Sequence, residues 1–123
     1  MKPVKTFQIP REILEQIGKE WEGTYTVHML NAREYLQTAE ELVQEARQKP
    51  NWNGELSEME LKYRLTCKAT TKDGQPLNPN SELPAKLYEL LSSVALPVNT
   101  LTRAEAQQLF LELSKNNQPE SAS

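Results

Sequence analysis

The sequence predicts an α+β domain, mainly α, in which short N-terminal strands are followed by about four amphipathic helices in one small unit. Three features lead there. Residues 24–30, TYTVHML, alternate as a half-buried strand does. Residues 31–49, NAREYLQTAEELVQEARQK, place apolar side chains at three- and four-residue spacing, as a helix does. The second half of the chain then carries two further leucine-rich helical stripes, the first ending before Pro97.

The chain has 123 residues, which fits one domain with a modest core. Residues 1–115 are read as that domain. Only 37% of the residues are hydrophobic and the mean hydropathy is -0.68, so little apolar volume is available per residue. That shortage is expected of a domain that completes itself by self-association or with a partner. A net charge of -3, with both signs interspersed, disfavours sequence-independent nucleic-acid binding, which requires a concentrated excess of Lys and Arg. One cysteine, Cys67, permits no internal disulfide, and one histidine, His28, permits no multi-histidine metal site. The segment MKPVKTFQIPREIL breaks its apolar residues with charges, unlike a signal peptide. No run approaches the ~20 apolar residues of a membrane helix. A cytoplasmic protein without a membrane segment is the expectation.

In chain order, VKTFQI (residues 4–9) reads as a short strand or extended arm. Pro10 stands where a helix begins, because its missing N–H is one that a first turn leaves unpaired anyway. Ile13, Leu14 and Ile17 form one face of a two-turn helix that Gly18 ends. In 24–30, Tyr25, Val27 and Met29 oppose Thr24, Thr26 and His28. Asn31 and Glu34 have the spacing of a capping box. Ala32, Tyr35, Leu36, Ala39, Leu42, Val43 and Ala46 then make the strongest stripe in the chain, expected to be the main core element. Pro50 ends it, and residues 51–54, NWNG, form a turn or loop carrying Trp52.

Residues 57–72, SEMELKYRLTCKATTK, pull two ways. Strict alternation of Met59, Leu61, Tyr63, Leu65, Cys67 and Ala69 predicts a strand. Ser57 with Glu60 repeats the capping-box spacing, and Leu61, Leu65 and Ala69 recur every four residues, which favours a helix. On residues alone the balance tips slightly to helix. Lys72-Asp73-Gly74 ends the segment with turn chemistry, and QPLNPNSELP is an irregular connection. Leu83, Leu87, Leu90, Leu91 and Val94 define a helix expected to stop before Pro97. Thr102 and Glu105 cap a last helix carrying Ala106, Leu109, Phe110 and Leu113, with Leu101 placed to staple against Ala106. Residues 116–123 are expected to be a disordered tail.

Chemistry-bearing residues are sparse. His28 is expected on the polar strand face, Cys67 as a small buried hydrophobe, and Glu40, Glu41 and Glu45 on a solvated helix face. Four scattered glycines cannot form a phosphate-cradling loop. No catalytic residue, cofactor or metal site is predicted, and the chain is read as non-enzymatic. Arg64, Lys68 and Lys72, joined by Lys62, would form a basic surface on either a helix or a strand. With Trp52, which either covers the core edge or anchors a partner, these are the candidate binding residues.

The order of elements, TYTVHMLNAREYLQTAEE, a Trp-containing loop, ELKYRLTCKATTKDGQPL and LPAKLYELLSSVALPVNTLT, resembles the small tail assembly chaperones of tailed bacteriophages and prophages, with the DG-x-P-L turn at Asp73 to Leu77 as its local motif. The resemblance implies that the segment before that turn is helical. It also implies a non-enzymatic function: binding the aggregation-prone tape measure protein during tail assembly, often as an oligomer. Two other readings stand beside it. One is a regulatory or adaptor module using the Lys62 to Lys72 face for an acidic protein or RNA. The other is an enzyme with a Cys67 nucleophile.

Overall fold

The computed structural model describes residues 2–53 and 57–116. The predicted fold class is the observed one. Strand β1 (Lys2–Gln8), helix α1 (Arg11–Ile17), a 3-10 turn (Lys19–Trp21), β2 (Thr24–Met29) and α2 (Ala32–Arg47) come first. They are followed by α3 (Glu58–Ala69), β3 (Thr70–Lys72), β4 (Gln75–Pro76), α4 (Ala85–Asn99) and α5 (Arg103–Asn116). The four strands form one antiparallel sheet in the order β1-β2-β3-β4.

The sheet has one dry and one wet face because its strands alternate. Phe7 lies opposite Tyr25 with their rings stacked at 6.2 Å, and Val27 lies opposite Thr70. On the reverse face Thr6, Thr26 and Thr71 stand in a row, and the Thr6 and Thr26 hydroxyls share a hydrogen bond of 3.2 Å. The outer edge at β1 is blunted by Lys2, Pro3 and Lys5 and by a register shift between Pro3 and Lys5. Proline has no donor to offer a further strand, and lysine resists edge pairing.

The β3–β4 connection is the two-residue turn Asp73-Gly74, with φ of 51° and 81°. Positive φ at both positions matches the twist of a tight hairpin, and Asp-Gly is among the few pairs that adopt it cheaply. Asp73 does more than turn the chain. Its backbone N–H donates to the Thr24 carbonyl at 2.8 Å, and its Oδ1 accepts from the Thr24 N–H at 2.9 Å. This clasp presses on Gly23, where an added Cβ would sit 2.6 Å from Asp73 Oδ2.

The core lies between the dry sheet face and α4, which presents Leu87, Leu91 and Ala95 at four-residue spacing. Leu87 and Leu91 pack with Ile9 and Tyr25, and Phe7, Leu14 and Trp21 close around them. Ala95 packs with Val27 and Ala69, where small side chains let α4 approach β2 and the end of α3. Each leucine fully removed from water contributes roughly 1.5–3 kcal/mol.

Several expectations need correction. α2 is not the main core element. It packs against α3, and its inward line is half-buried Tyr35, buried Thr38 and buried Leu42, while Leu36 is 60% exposed. Thr38 can be buried because its hydroxyl donates to the Glu34 carbonyl at 2.9 Å, which satisfies it inside its own helix. Residues 57–72 are not one helix: α3 ends at Ala69, and Thr70–Lys72 pair with β2. The spacing at Ser57 and Glu60 closes only half a capping box, since Ser57 Oγ accepts from Glu60 N–H at 3.2 Å while the Glu60 carboxylate turns to Arg64.

α4 does not stop before Pro97 but runs to Asn99 with Pro97 in its last turn. The Thr100 N–H and hydroxyl both donate to the Leu96 carbonyl, at 2.8 and 2.7 Å, and so close the turn beyond the proline. α5 is not part of the core at all: every side chain from Leu101 to Lys115 is exposed, so Leu101 staples nothing out of water. The tail expected from residue 116 falls outside the described residues, apart from Asn116, which closes α5, and so does Gly54 of the predicted 51–54 turn. The other predicted caps hold. Asn31 and Glu34 bond reciprocally at 2.8 and 3.0 Å, and Thr102 and Glu105 at 3.1 and 2.9 Å. Those bonds from Thr102 hold the Glu105 carboxyl below its ordinary range.

Candidate functional site

The predicted basic residues are divided between two elements. Because α3 ends at Ala69, Lys72 leaves the helical stripe and sits on β3. There its ammonium donates to the Glu20 carbonyl and lies 5.7 Å from the centre of the Trp21 ring. Arg64 is held between two carboxylates, hydrogen bonded to Glu45 and, at 3.1 Å, to Glu60. The bond that Arg64 donates to Glu45 raises the Arg64 pKa and holds the Glu45 carboxyl below its ordinary range. Lys62 faces Glu58 at 3.8 Å, and Lys68 is half-buried. Lys72 thus parts from the α3 stripe that keeps Arg64 and Lys68 at four-residue spacing, and the charge of Lys62 and Arg64 is matched locally by acid. Trp52, the fifth candidate, is half-buried in the turn after α2.

Cys67 is 1% exposed, and burial pushes its thiol up to about 11, so it is not a thiolate at neutral pH. Glu40 and Glu41 are exposed on α2 or at its flank. His28 lies on the wet side of the sheet with Nδ1 3.1 Å from the Ala69 carbonyl. Among the described residues, no three or more His, Cys, Asp or Glu side chains are placed to hold a metal ion, and no helix is long and apolar enough to cross a membrane.

Among the described residues, the body of the fold carries two concavities of contrasting lining. The larger, of about 830 Å³, runs beside α1 and the start of β2 and is lined by Arg11, Glu15, Lys19 and Glu22, all exposed. The ion pair there, Arg11 with Glu15 at 3.7 Å, lies in open solvent, where such pairs preorganise little. The second, of about 490 Å³, has a different character. Tyr35 of α2, Leu61 and Leu65 of α3 and Leu96 and Pro97 of α4 wall it, and Leu101 closes one end. Charge appears at Glu58, Lys62 and Arg103.

No known protein family, curated protein or solved structure matches this chain.

The groove has identifiable causes in the fold. Tyr63 of α3 meets Tyr88 of α4 edge-on at 5.5 Å and donates to the Ser81 carbonyl at 3.2 Å, which fixes one end of the α3–α4 pair. The Glu45–Arg64 pair ties α2 to α3. The other end is set by Asn99. Its Nδ2 donates to the His28 and Ala95 carbonyls, each at 3.0 Å, and its Oδ1 accepts from the Leu30 N–H at 2.6 Å. Asn99 thus fastens the end of α4 to the β2–α2 junction, and Leu96 and Pro97 are held facing α3.

Sequence reading missed both this clasp and the groove. Asn99 stood in no pattern, being a polar residue beyond a proline that promised the helix end. Tyr35, Leu61 and Leu65 were recognised as apolar helical positions, but periodicity reports which side of a helix is greasy, not whether a neighbour covers it. Leu36 and Met59, the latter 82% exposed, extend the apolar surface of α2 and α3.

Proposed function

We propose that this protein is a non-enzymatic interaction protein that holds an amphipathic helical segment of another protein in the groove between α2, α3 and the end of α4. The observation that carries the reading is the groove itself: apolar walls supplied by three helices, with one acidic and two basic side chains among its lining. An amphipathic helix is the complement of such a surface, laying its apolar side into the trough and meeting charges of either sign along the rim. In keeping with the resemblance noted from the sequence, the client is the tape measure protein of a phage tail, and the role is that of a tail assembly chaperone in the host cytoplasm.

The adaptor reading gains nothing comparable, because Arg64 and Lys62 already face Glu45, Glu60 and Glu58. Co-expression with the cognate tape measure protein tests the proposal. The expected result is a larger soluble fraction of the client, lost when Leu96→Glu places a charge in the trough. Unchanged client solubility with the wild-type chain would refute the chaperone reading.

A further inference from the structure

α5 is a 14-residue helix, well capped at Thr102 and Glu105, whose large apolar side chains Leu109, Phe110, Leu111 and Leu113 are 43–70% exposed. Ala106, Leu109, Phe110 and Leu113 share one face at three- and four-residue spacing, and Phe110 is 70% exposed. Such a stripe in water is unfavourable unless something covers it. The same chain carries a trough for a helix of this kind, and the trough ends at Leu101–Arg103, where α5 begins.

We infer that two copies of this chain exchange their α5 helices, each lying in the groove of the other between α2, α3 and the end of α4, so that the groove is self-occupied until a client helix displaces α5. This deepens the reading of the groove as a helix site and rests on it.

Three observations favour a second copy over the chain's own α5. The connection between α4 and α5 is Thr100, Leu101 and Thr102. Both threonines are committed, Thr100 to Leu96 and Thr102 to the cap with Glu105. A short hinge fixed at both ends directs α5 away from its own body, the arrangement that invites exchange. Reciprocity follows from geometry, since each chain offers one helix and one trough, giving a closed twofold interface. The chain's own α5 also leaves its stripe uncovered: Leu109, Phe110 and Leu113 are 43–70% exposed, and Leu101 at the end of the trough is 62% exposed.

Light scattering on the purified full-length chain, with no client present, should give a dimer at tens of micromolar. Phe110→Glu should weaken it on the order of tenfold or more while leaving the far-ultraviolet circular dichroism of the monomer intact, because Phe110 is 70% exposed and lies outside the core. To locate the helix, a Leu61→Cys chain is mixed with a mass-tagged Phe110→Cys chain and oxidised. The expected product is the mixed disulfide between chains. A monomer, a dimer indifferent to Phe110→Glu, or a crosslink formed only between two chains that both carry Phe110→Cys would each overturn the exchange. Failure of the client to be solubilised, with the mixed disulfide still formed, overturns the client assignment and leaves the exchange standing.

Discussion

Replacing Asn99 by alanine tests the assembly of this fold more directly than any leucine deletion, because the side chain fastens the end of α4 to the β2–α2 junction by hydrogen bonds alone. Alanine removes the acceptor of the Leu30 N–H at 2.6 Å and the donor to the His28 and Ala95 carbonyls at 3.0 Å. The bond to Ala95 lies within its own helix and its loss is minor. The other two leave a donor and an acceptor at the partly buried β2–α2 junction. A net hydrogen bond is worth about 0.5–1.5 kcal/mol, and an unsatisfied buried group costs about 1–3 kcal/mol. The expected loss is therefore about 2–3 kcal/mol, a large share of the roughly 5–15 kcal/mol that stabilises a domain. Urea unfolding followed by tryptophan fluorescence measures it, as Trp21 and Trp52 lie on opposite sides of the junction in sequence. Asn99→Asp refines the test, since it keeps the acceptor for Leu30 but turns a carboxylate oxygen toward two carbonyls. It should be at least as damaging at neutral pH and recover as the acid is protonated. A loss below about 0.5 kcal/mol for Asn99→Ala, within the range of ordinary surface substitutions, would refute the idea that this side chain sets the end of α4.

Other outcomes follow from the same geometry. Asn31→Ala should cost about 0.5–2 kcal/mol by opening both bonds of the capping box, read as a shift in urea midpoint at unchanged slope. Leu91→Ala should cost about 2–5 kcal/mol, whereas Leu36→Ala, on the stripe of α2 but exposed, should fall within about 0.5 kcal/mol; equal costs would mean that α2 is as much a core element as α4. Gly23→Ala should lower the melting temperature, because Gly23 has a φ of 158° and the new methyl meets the Asp73 carboxylate. Burial pushes the Tyr25 hydroxyl up to about 12 from 10.0, with the Asp73 charge adding to it. The unfolded chain therefore releases this proton first, and stability should fall as pH rises from about 10 toward 12. Tyr25→Phe should flatten that alkaline slope in pH-dependent unfolding, at the expense of the 2.6 Å bond to the Trp21 carbonyl.

What was legible in the sequence is what neighbouring residues decide among themselves. Alternation marked β2, reciprocal caps marked α2 and α5, Pro10 and Gly18 bracketed α1, and Asp73-Gly74 named its turn, because each of these rests on contacts within about four residues. The same locality explains the errors. Ala69 and Thr70 sit in a segment whose own residues suit helix or strand, and α3 stops there because β2, more than forty residues away, offers Thr70–Lys72 backbone partners. Arg64 and Lys72 belonged to one stripe on paper and were parted by that stop. Leu42 and Leu91 look alike as stripe residues, yet the sheet's dry face is covered by α4, and α2 is left to the flank.

Asn99 became structural, and Leu96, Leu61 and Tyr35 became a groove, only when α4 was laid against both α3 and the β2–α2 junction. The sequence by itself determined where helices, strands and turns form and which sides of them are apolar. Tertiary structure decided which apolar sides are covered, which charges are matched and where a helix is left over, because burial and ion pairing depend on partners brought from distant parts of the chain, and no local pattern carries that information.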